Sequence, residues 1–295
     1  MILIADSGST KTDWLLVETG GDGDGARATA PLHTQGINPF HQGADVIREI
    51  MRSELLPQIE EEGARMHGAT GVTTVRFYGS GVRPELEPVM AQLLREAFPQ
   101  ATDVEAHNDL LGAARALCGH NYGIASILGT GANSCLYDGE RIVENTPPLG
   151  YILGDEGSGA VLGKRLVHAI YSGQLPEELK TVFEQEMKLT LPALIERVYR
   201  KPLANRFLAS LSDFISRHLD DDEKLGKLVY DNFADFLSVH IYPYNRPDLP
   251  VSFVGSVAWY YQPQLRAAAS RLHIQVGTIL RSPLEGLIRY HALAR

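Results

Sequence analysis

The sequence predicts an α/β fold built from two similar halves. Short apolar runs alternate along the chain with stretches of helical periodicity, a pattern typical of sheets that contain parallel strands and are covered by helices. One arrangement also occurs twice, at 1–17 and at 124–137: an apolar strand, a small turn containing Gly and Thr, and a returning strand. The 295 residues are enough for two domains of ordinary size.

The first hairpin is predicted over the opening residues. An apolar run from Ile2 to Ala5 ends at Asp6, and a second apolar run begins at Trp14. The turn between them offers backbone N–H groups, hydroxyls and one Lys, which together suit a phosphate group. The candidate phosphate contacts are Ser9, Thr10, Lys11 and Thr12. Asp6 is placed to hold a metal ion, directly or through water.

Further elements of the first half follow from periodicity. Strands are predicted at 27–34, 73–78 and 102–106, and helices at 44–61, from Pro84 onward, and at 109–118. Asn38 lies in a turn between two of these elements and is a candidate substrate contact, although an Asn that only forms the turn is the commoner case.

Asp109 lies where the last predicted strand of the first half meets a helix. Ligands bind at the carboxyl ends of strands in such sheets, so Asp109 is a candidate general base. A carboxylate at this position would also stabilise the helix as an N-cap or first-turn residue. The two roles are compatible, because an Asp in the first turn of a helix can still face a ligand.

The second half begins near Gly119. A strand at 124–128 leads into the small-residue turn Gly129-Thr130-Gly131, and the returning strand follows. Two such hairpins could hold one phosphate chain from both sides. The segment 154–159 has glycines beside two carboxylates, which indicates that its backbone packs closely against something.

The rest of the second half is predicted to be mostly helical. Helical patterns fill 177–240, and their amphipathic stripes indicate packing. A short strand at 250–254 ends at Gly255 and Ser256, a tight turn into a helix where an adenosine could lie. A last strand at 273–279 and a helix after Ser282 complete the chain.

Composition excludes several classes of function. The formal net charge of −9 argues against nucleic acid or an anionic membrane as a partner. We see no apolar run long enough to span a membrane and no signal peptide, so we expect a cytoplasmic protein. The two cysteines, Cys118 and Cys135, lack the spacing of a metal site.

The order of these segments resembles the N-acetylglucosamine kinase family, which is grouped with the BadF-type activator ATPases in the actin-like ATPase superfamily. The resemblance covers nearly the whole chain, and its most specific piece is Gly-Asp-Glu-Gly-Ser at 154–158, hereafter the GDEGS segment. The other matching segments are 6–14, 108–109, 129–134, 255–258 and 282–287.

This resemblance implies two RNase H-like domains with a nucleotide in the cleft between them. The N-terminal domain would span 1–118 and the C-terminal domain 119–281, with the helical segment 177–240 inside it. The final helix at 282–295 would pack back on the N-terminal domain. The implied activity is the ATP-dependent phosphorylation of an amino sugar at its 6-hydroxyl, and homodimers are common in this family.

The resemblance also implies a role for each candidate residue. Asp6 would hold hydrated Mg²⁺, and Asp109 would accept the proton of the attacking hydroxyl. The β- and γ-phosphates of ATP would contact Thr10, Lys11, Thr130 and the backbone of both glycine turns, including Gly129 and Gly131. Gly255 and Ser256 would border the adenosine. The candidate contacts of the sugar hydroxyls are Asn38, Ser80, Asn108 and Asp155.

One departure from the family pattern leaves the acceptor open. Leu149 stands where these sugar kinases carry a Trp, so glucosamine or N-acetylmuramic acid are alternatives to N-acetylglucosamine. A different alternative is an activator ATPase that transfers an electron to a radical enzyme. Such proteins hold an iron–sulfur cluster between two subunits with two cysteines from each, here Cys118 and Cys135. A non-enzymatic sensor or filament of the actin type is the third alternative.

Overall fold

The structure, a computed structural model, describes residues 1–8, 10–18, 27–65 and 71–293. The chain forms two compact units, each with its own mixed sheet and apolar core. The first unit consists of residues 1–120, 139–141 and 283–295, and the second of 121–138 and 142–282. Among the described helices, none has the length and apolar character needed to cross a membrane.

The sheet of the first unit has the order β3-β2-β1-β5-β6, and β4 also pairs with β2. β1 pairs antiparallel with β2 and parallel with β5, which pairs parallel with β6. The strands are β1 (Ile2–Ser7), β2 (Lys11–Glu18), β3 (Arg27–Ala28), β4 (Leu32–Gln35), β5 (Thr74–Gly79) and β6 (Asp103–Asn108). The single strand predicted at 27–34 is therefore wrong. Pro31, which has no N–H to pair, lies between the two short strands found there.

Helices cover this sheet and bury an apolar core that contains Trp14 and Phe77, whose ring centroids are 5.7 Å apart. They are α1 (Ala44–Ile50), a π-helical turn (Met51–Leu55), α2 (Leu56–Arg65), α3 (Glu87–Ala97) and α4 (Asp109–Cys118). α3 begins at Glu87 and not at the predicted Pro84, because residues 83–86 form a separate turn. The predicted bounds of α4 agree with the structure.

The sheet of the second unit has the order β11-β10-β7-β8-β9. β7, β8 and β9 are antiparallel, whereas β7, β10 and β11 are parallel. Its strands are β7 (Gly123–Leu128), β8 (Ala132–Tyr137), β9 (Ile142–Glu144), β10 (Val251–Val254) and β11 (Val276–Leu280). Both sheets therefore repeat one arrangement, as RNase H-like halves require: a set of antiparallel strands (β1–β4 in the first sheet, β7–β9 in the second) is extended by two parallel strands.

The helices of the second unit form most of its apolar core. They are α5 (Gly150–Leu153), α6 (Gly159–Tyr171), α7 (Glu177–Glu186), α8 (Leu191–Tyr199), α9 (Ala204–Ser210), α10 (Ser212–Arg217), α11 (Glu223–Phe236), α12 (Ser256–Tyr260) and α13 (Gln262–Arg271). A π-helical turn (Leu237–Ile241) continues α11.

The last helix, α14 (Leu284–Ile288), belongs to the first unit. It packs on α4 so closely that a Cβ at Gly286 would lie 2.3 Å from the carbonyl oxygen of Ala116. Only glycine permits that approach.

Candidate active site

Three residues predicted to act in catalysis or binding lie at one edge of the first sheet. The parallel strands β1, β5 and β6 end side by side and in register. Asp6 is the penultimate residue of β1, Ser80 follows β5, and Asp109 follows β6. The carboxyl ends of parallel strands form the ligand-binding edge of α/β sheets. The fold thus brings these three side chains to the edge where chemistry is expected.

Asp109 is the first residue of α4 and is not its cap. Asn108 takes that role, since its Oδ1 accepts a hydrogen bond from Leu111 N at 2.7 Å. Burial raises the pKa of Asp109 to about 6, although hydrogen bonds from the backbone N–H groups of Leu110 and of Asp109 itself lower it. A carboxyl group with a pKa just below neutrality is suited to accept a proton at neutral pH.

Asp6 is surrounded by negative charge. Burial, then the charge of Asp109, then that of Asp13, raise the pKa of Asp6 to about 7, and Lys11 acts in the opposite direction. Lys11 Nζ lies 2.9 Å from Asp13 Oδ2, so this cation is already engaged by another carboxylate. A further cation would stabilise the ionised form of Asp6.

The residues around Asp6 fit Mg²⁺ that arrives with a phosphate group. Within the described ranges there is no group of three or more His, Cys, Asp and Glu side chains that could hold a metal ion by itself. Mg²⁺ in proteins is usually bound by one or two carboxylates, with phosphate oxygens and water as the remaining ligands. The uncompensated charge at Asp6 suits this kind of shared site.

The turn between β1 and β2 exposes two of the predicted phosphate contacts. Thr10 and Lys11 are exposed to solvent. Thr12 is buried, and its hydroxyl lies 2.6 Å from Ser7 Oγ at the end of β1. Thr12 therefore has a structural role in closing this hairpin. Ser9, the remaining predicted contact, lies outside the described residues.

The turn between β7 and β8 is fixed by the start of helix α6. Gly129 N donates to Gly131 O at 3.0 Å across the turn. Gly159 N donates to Gly129 O at 2.8 Å, and Ala160 N donates to Thr130 O at 3.2 Å. Because the first N–H groups of α6 donate to these carbonyl groups, the turn is held in one conformation. Its remaining polar groups are available to bind a phosphate.

Asp155 is buried beside this second turn. A Cβ at Gly131 would lie 3.1 Å from Asp155 Oδ2, so the glycine allows the carboxylate to approach. The backbone of Asp155 is left-handed, with a φ of 60°. Burial raises the pKa of Asp155, while a hydrogen bond from Gly150 N–H lowers it. The carboxylate is held and partly desolvated, as expected for a group that binds a ligand hydroxyl.

Gly255 places the predicted adenosine loop against the second turn. Its φ is 123°, and a Cβ there would lie 2.3 Å from the carbonyl oxygen of Leu128. The next residue, Ser256, borders a cavity of about 280 Å³. The other residues that line this cavity are Ala209, Ser210, Ser212, Asp213, Ser216, Val257, Tyr260 and Tyr261. Hydroxyl and aromatic groups of this kind suit a nucleoside.

The predicted sugar contacts of the first unit differ in which of their side-chain atoms already have a hydrogen-bond partner. Ser80 Oγ is buried and has no hydrogen-bond partner among the described residues, so a ligand or water must satisfy it. Asn38 Oδ1 accepts a hydrogen bond from Phe40 N at 3.0 Å, which is the turn-forming role. The Asn38 amide also packs against Gly81. Asn108 uses its Oδ1 as the cap of α4.

The two cysteines are poorly suited to an iron–sulfur cluster. Cys135 is buried in β8, and Cys118 is the last residue of α4. Burial raises the pKa of the Cys118 thiol to about 11. Since the thiolate is the form that binds metals, this environment disfavours the role that an activator ATPase would need.

Comparison with solved structures identifies a relative over the whole chain. A proposed N-acetylglucosamine kinase of Porphyromonas gingivalis is 47% identical, with 99% of each chain covered and a TM-score of 0.91. The chain belongs to the N-acetylglucosamine kinase family. No family model matches the chain, and neither does any curated protein. The family and the sugar-kinase class predicted from the sequence are thereby confirmed.

Two more distant structures share the fold. A proposed N-acetylglucosamine kinase of Chromobacterium violaceum is 18% identical, with 98% of each chain covered and a TM-score of 0.70. A ROK family glucokinase of Streptomyces griseus, in complex with glucose and AMPPNP, is 16% identical, with 99% of each chain covered and a TM-score of 0.52. At these identities the likeness concerns the fold, and it agrees with the predicted α/β architecture.

In this member of the N-acetylglucosamine kinase family, sequence reasoning missed two side chains that hold the GDEGS segment. Asn232 Oδ1 accepts a hydrogen bond from Gly157 N at 3.2 Å, and His240 Nε2 lies 3.0 Å from Glu156 Oε2. Both side chains are buried. They are 75 and 84 residues away from their partners, so no local pattern reveals the contacts. The only signal was polar residues on an otherwise apolar helix face.

Proposed function

We propose that this chain is an ATP-dependent kinase that phosphorylates an amino sugar of the N-acetylglucosamine type at its 6-hydroxyl. The observation that carries the proposal is the position of Asp109, the first residue of α4, at the sheet edge that also holds Asp6. A proton acceptor and a metal-binding carboxylate at one edge are what phosphoryl transfer to a hydroxyl requires. Membership of the N-acetylglucosamine kinase family supports the acceptor class.

Asp109 would act as the general base. Its carboxylate would accept the proton of the sugar 6-hydroxyl while that oxygen attacks the γ-phosphorus. The bond between the γ-phosphorus and the bridging oxygen then breaks, and ADP leaves. A pKa of about 6 keeps Asp109 largely ionised at neutral pH, so the base is in the form that the reaction needs.

Asp6 would bind the hydrated Mg²⁺ that accompanies ATP. Bound Mg²⁺ supplies neutralisation of the phosphate charges, which is a large part of the catalysis of phosphoryl transfer. Asp6 would carry out no proton transfer. It would orient the metal–nucleotide complex, which would balance its charge.

The proposed contacts of the β- and γ-phosphates are Thr10, Lys11, Thr130 and the backbone of the turn between β7 and β8. The exposure of Thr10 and Lys11 supports their role. The cavity bordered by Ser256 would take the adenosine.

The sugar would be oriented by hydrogen bonds to its hydroxyls. Ser80 offers a buried hydroxyl without a partner among the described residues, and Asp155 offers a buried carboxylate. Asn38 and Asn108 keep their side-chain N–H groups for the sugar, because their Oδ1 atoms are engaged by backbone N–H groups. Such positioning contributes several kcal/mol to catalysis in general.

A substrate analogue tests the position of phosphorylation. The protein is incubated with Mg-ATP and either N-acetylglucosamine or its 6-deoxy analogue, and the products are analysed by phosphorus NMR. We expect a phosphomonoester coupled to the C6 protons with the first sugar, and no sugar phosphate with the second. Phosphorylation of the 6-deoxy analogue, or a product phosphorylated at another carbon, would contradict the proposal.

A second acceptor, N-acetylmuramic acid, is favoured by one observation. The guanidinium of Arg83 lies over the ring of Phe40 at 3.9 Å from its centroid and has no acidic partner among the described residues. Phe40 lies two residues after Asn38, and Arg83 lies three residues after Ser80. Arg83 is therefore the cation that we propose for an anionic substituent of the sugar. The test is the ratio of kcat/KM for the two sugars in the wild type and in Arg83→Gln. A fall for N-acetylmuramic acid alone supports this acceptor, whereas equal changes for both sugars exclude it.

A further inference from the structure

One face of α11 and of the π-helical turn that continues it lies against the GDEGS segment. Asn232, Phe236 and His240 are spaced by four residues on this face. Asn232 accepts a hydrogen bond from Gly157 N and donates one from Nδ2 to Ser158 O, both at 3.2 Å. Phe236 packs on Gly157, where an added Cβ would lie 2.8 Å from the Phe236 Cβ. Asn232 and Phe236 thus hold the GDEGS segment against α11.

His240 makes the third contact of this face. Its side chain is 3% exposed, and its ring stacks on Phe236 with centroids 5.1 Å apart. Nε2 lies 3.0 Å from Glu156 Oε2, so Nε2 carries a proton and donates it to the carboxylate. Nδ1 is buried and has no hydrogen-bond partner among the residues described. Glu156 is therefore the hydrogen-bond partner of the His240 ring among the described residues.

The main chain of His240 is anchored as well. Its carbonyl oxygen accepts hydrogen bonds from Ser134 Oγ at 3.2 Å and from Thr146 Oγ1 at 3.1 Å. Pro243, three residues further on, has no N–H that could compete for this oxygen. Ser134 belongs to the strand after the second phosphate turn, and Thr146 precedes the GDEGS segment. One residue therefore connects three pieces of the candidate site.

Tyr244 completes this network. Thr146 N donates to Tyr244 Oη at 3.0 Å, and Tyr244 Oη lies 2.8 Å from Ser134 Oγ. With the Ser134 hydroxyl donating to His240 O, the hydroxyls of Ser134 and Tyr244 each have one donor and one acceptor role. These hydrogen bonds hold the two side chains in one arrangement.

Asp155 is the residue that needs this support. Its left-handed backbone, with a φ of 60°, is costly for a residue other than glycine and persists only where the surroundings enforce it. Glu156 and Gly157, directly after it, are both anchored to the α11 face. Removing the Glu156 anchor would allow the backbone to relax and the Asp155 carboxylate to leave its place beside Gly131.

We propose that His240, acting through Glu156, is a positioning residue that holds Asp155 in place for the sugar. The inference rests on the proposed function, in which Asp155 contacts a sugar hydroxyl. It assigns no chemical step to His240, whose side chain has Glu156 as its hydrogen-bond partner. The expected consequence is specific: loss of the His240 side chain should raise the KM for the sugar and leave the KM for ATP unchanged.

The test compares His240→Leu, which removes the donor, with His240→Gln, whose amide N–H can replace it. We expect His240→Leu to raise the sugar KM by about 10-fold to 100-fold, the usual effect of losing a hydrogen bond to a charged group. The ATP KM should stay within about twofold of the wild type, and His240→Gln should recover most of the loss. The exposed His168 provides a matched control, since His168→Gln should change neither constant.

A cycle with Glu156 tests whether the two residues act together. Glu156→Ala should raise the sugar KM as His240→Leu does, and the double variant should be no worse than either single one. Additive effects would mean that His240 does not act through Glu156. An equal rise in both KM values would mean a general loss of structure, and either result overturns the proposal.

Hydrogen exchange of the free protein separates this inference from the proposed function. In His240→Leu the amides of residues 154–158 should exchange faster than in the wild type, and in His240→Gln they should not. If the wild type shows no sugar-dependent activity, the proposed function fails while the exchange result still decides the positioning role. Unchanged exchange in His240→Leu would overturn it.

Discussion

The charge of Asp109 raises the pKa of Asp6, although β5 lies between the strands that lead to these two residues. Two carboxyl groups this close resist being ionised together unless a cation is present. A divalent metal at Asp6 would offset that repulsion. Under the proposed function, Asp6 would hold the metal and Asp109 would accept the proton at this one edge of the sheet.

Replacement of Asp109 by Asn should separate binding from catalysis. The amide is similar in size but cannot accept the proton, so we expect kcat to fall by a factor on the order of 10² to 10⁴. Nucleotide affinity should be unchanged, which calorimetric titration with a non-hydrolysable ATP analogue would measure. Turnover like that of the wild type would remove Asp109 from the mechanism.

Asp6→Ala should alter the response to Mg²⁺. Without this carboxylate the metal keeps only phosphate and water ligands, so a higher Mg²⁺ concentration should be needed for half-maximal activity at fixed ATP. Asp45→Asn is the control, because Asp45 is an exposed carboxylate of α1 with a surface ion pair to Arg48. If the wild type and Asp6→Ala need the same Mg²⁺ concentration for half-maximal activity, Asp6 has no role in binding the metal.

Gly255→Ala should disturb the nucleotide loop. The new Cβ would lie 2.3 Å from Leu128 O, and the φ of 123° is unfavourable for alanine. We expect a loss of about 1 to 3 kcal/mol in the free energy of unfolding, and a higher ATP KM. Gly226→Ala in α11 is the matched control: its Cβ would meet open space, and alanine favours the helix. Equal stability in the two variants would show that the close approach at Gly255 is unimportant.

The part of the candidate site that lies at the ends of strands follows from local sequence signals. Asp6, Asp109 and the two glycine turns all lie at the ends of strands, where alternation and apolar runs are readable. The exact ends of helices and strands were predicted less well. A helix was expected from Pro84, but Pro84 lies in a turn and the helix begins at Glu87. A single strand was expected across Pro31, which in fact separates two short ones.

The support of the GDEGS segment could not be predicted. Asn232 and His240 lie in a long helical region whose periodicity indicates only a buried face. Whether a buried polar side chain faces a loop or another helix depends on tertiary packing, which a single sequence does not encode locally. The availability of the Ser80 hydroxyl is likewise visible only once its neighbours are known.

The half-buried His291 should make stability depend on pH. Its Nε2 lies 2.7 Å from Tyr78 Oη, and burial, then Arg76 and Arg115, lower its pKa from 6.5 to about 4. The unfolded chain therefore takes up a proton at higher pH than the folded chain. The free energy of unfolding should fall as the pH decreases through this window, by at most about 3 kcal/mol.

His291→Gln tests this dependence, because glutamine keeps a partner for Tyr78 but does not titrate. Urea unfolding of wild type and variant between about pH 7 and pH 5 gives the difference in free energy at each pH. The variant should lose less stability than the wild type on acidification. Parallel pH profiles would show that His291 is not the group responsible.

The measurement that decides whether this chain is an amino-sugar kinase is ADP release from Mg-ATP in the presence of single sugars. The panel comprises N-acetylglucosamine, N-acetylmuramic acid, glucosamine and glucose, with Asp109→Asn measured in parallel. We expect strong stimulation of the wild type by an N-acetylated amino sugar, and almost none in Asp109→Asn. Slow ATP turnover that no sugar stimulates would contradict it and would favour an ATPase that serves another partner.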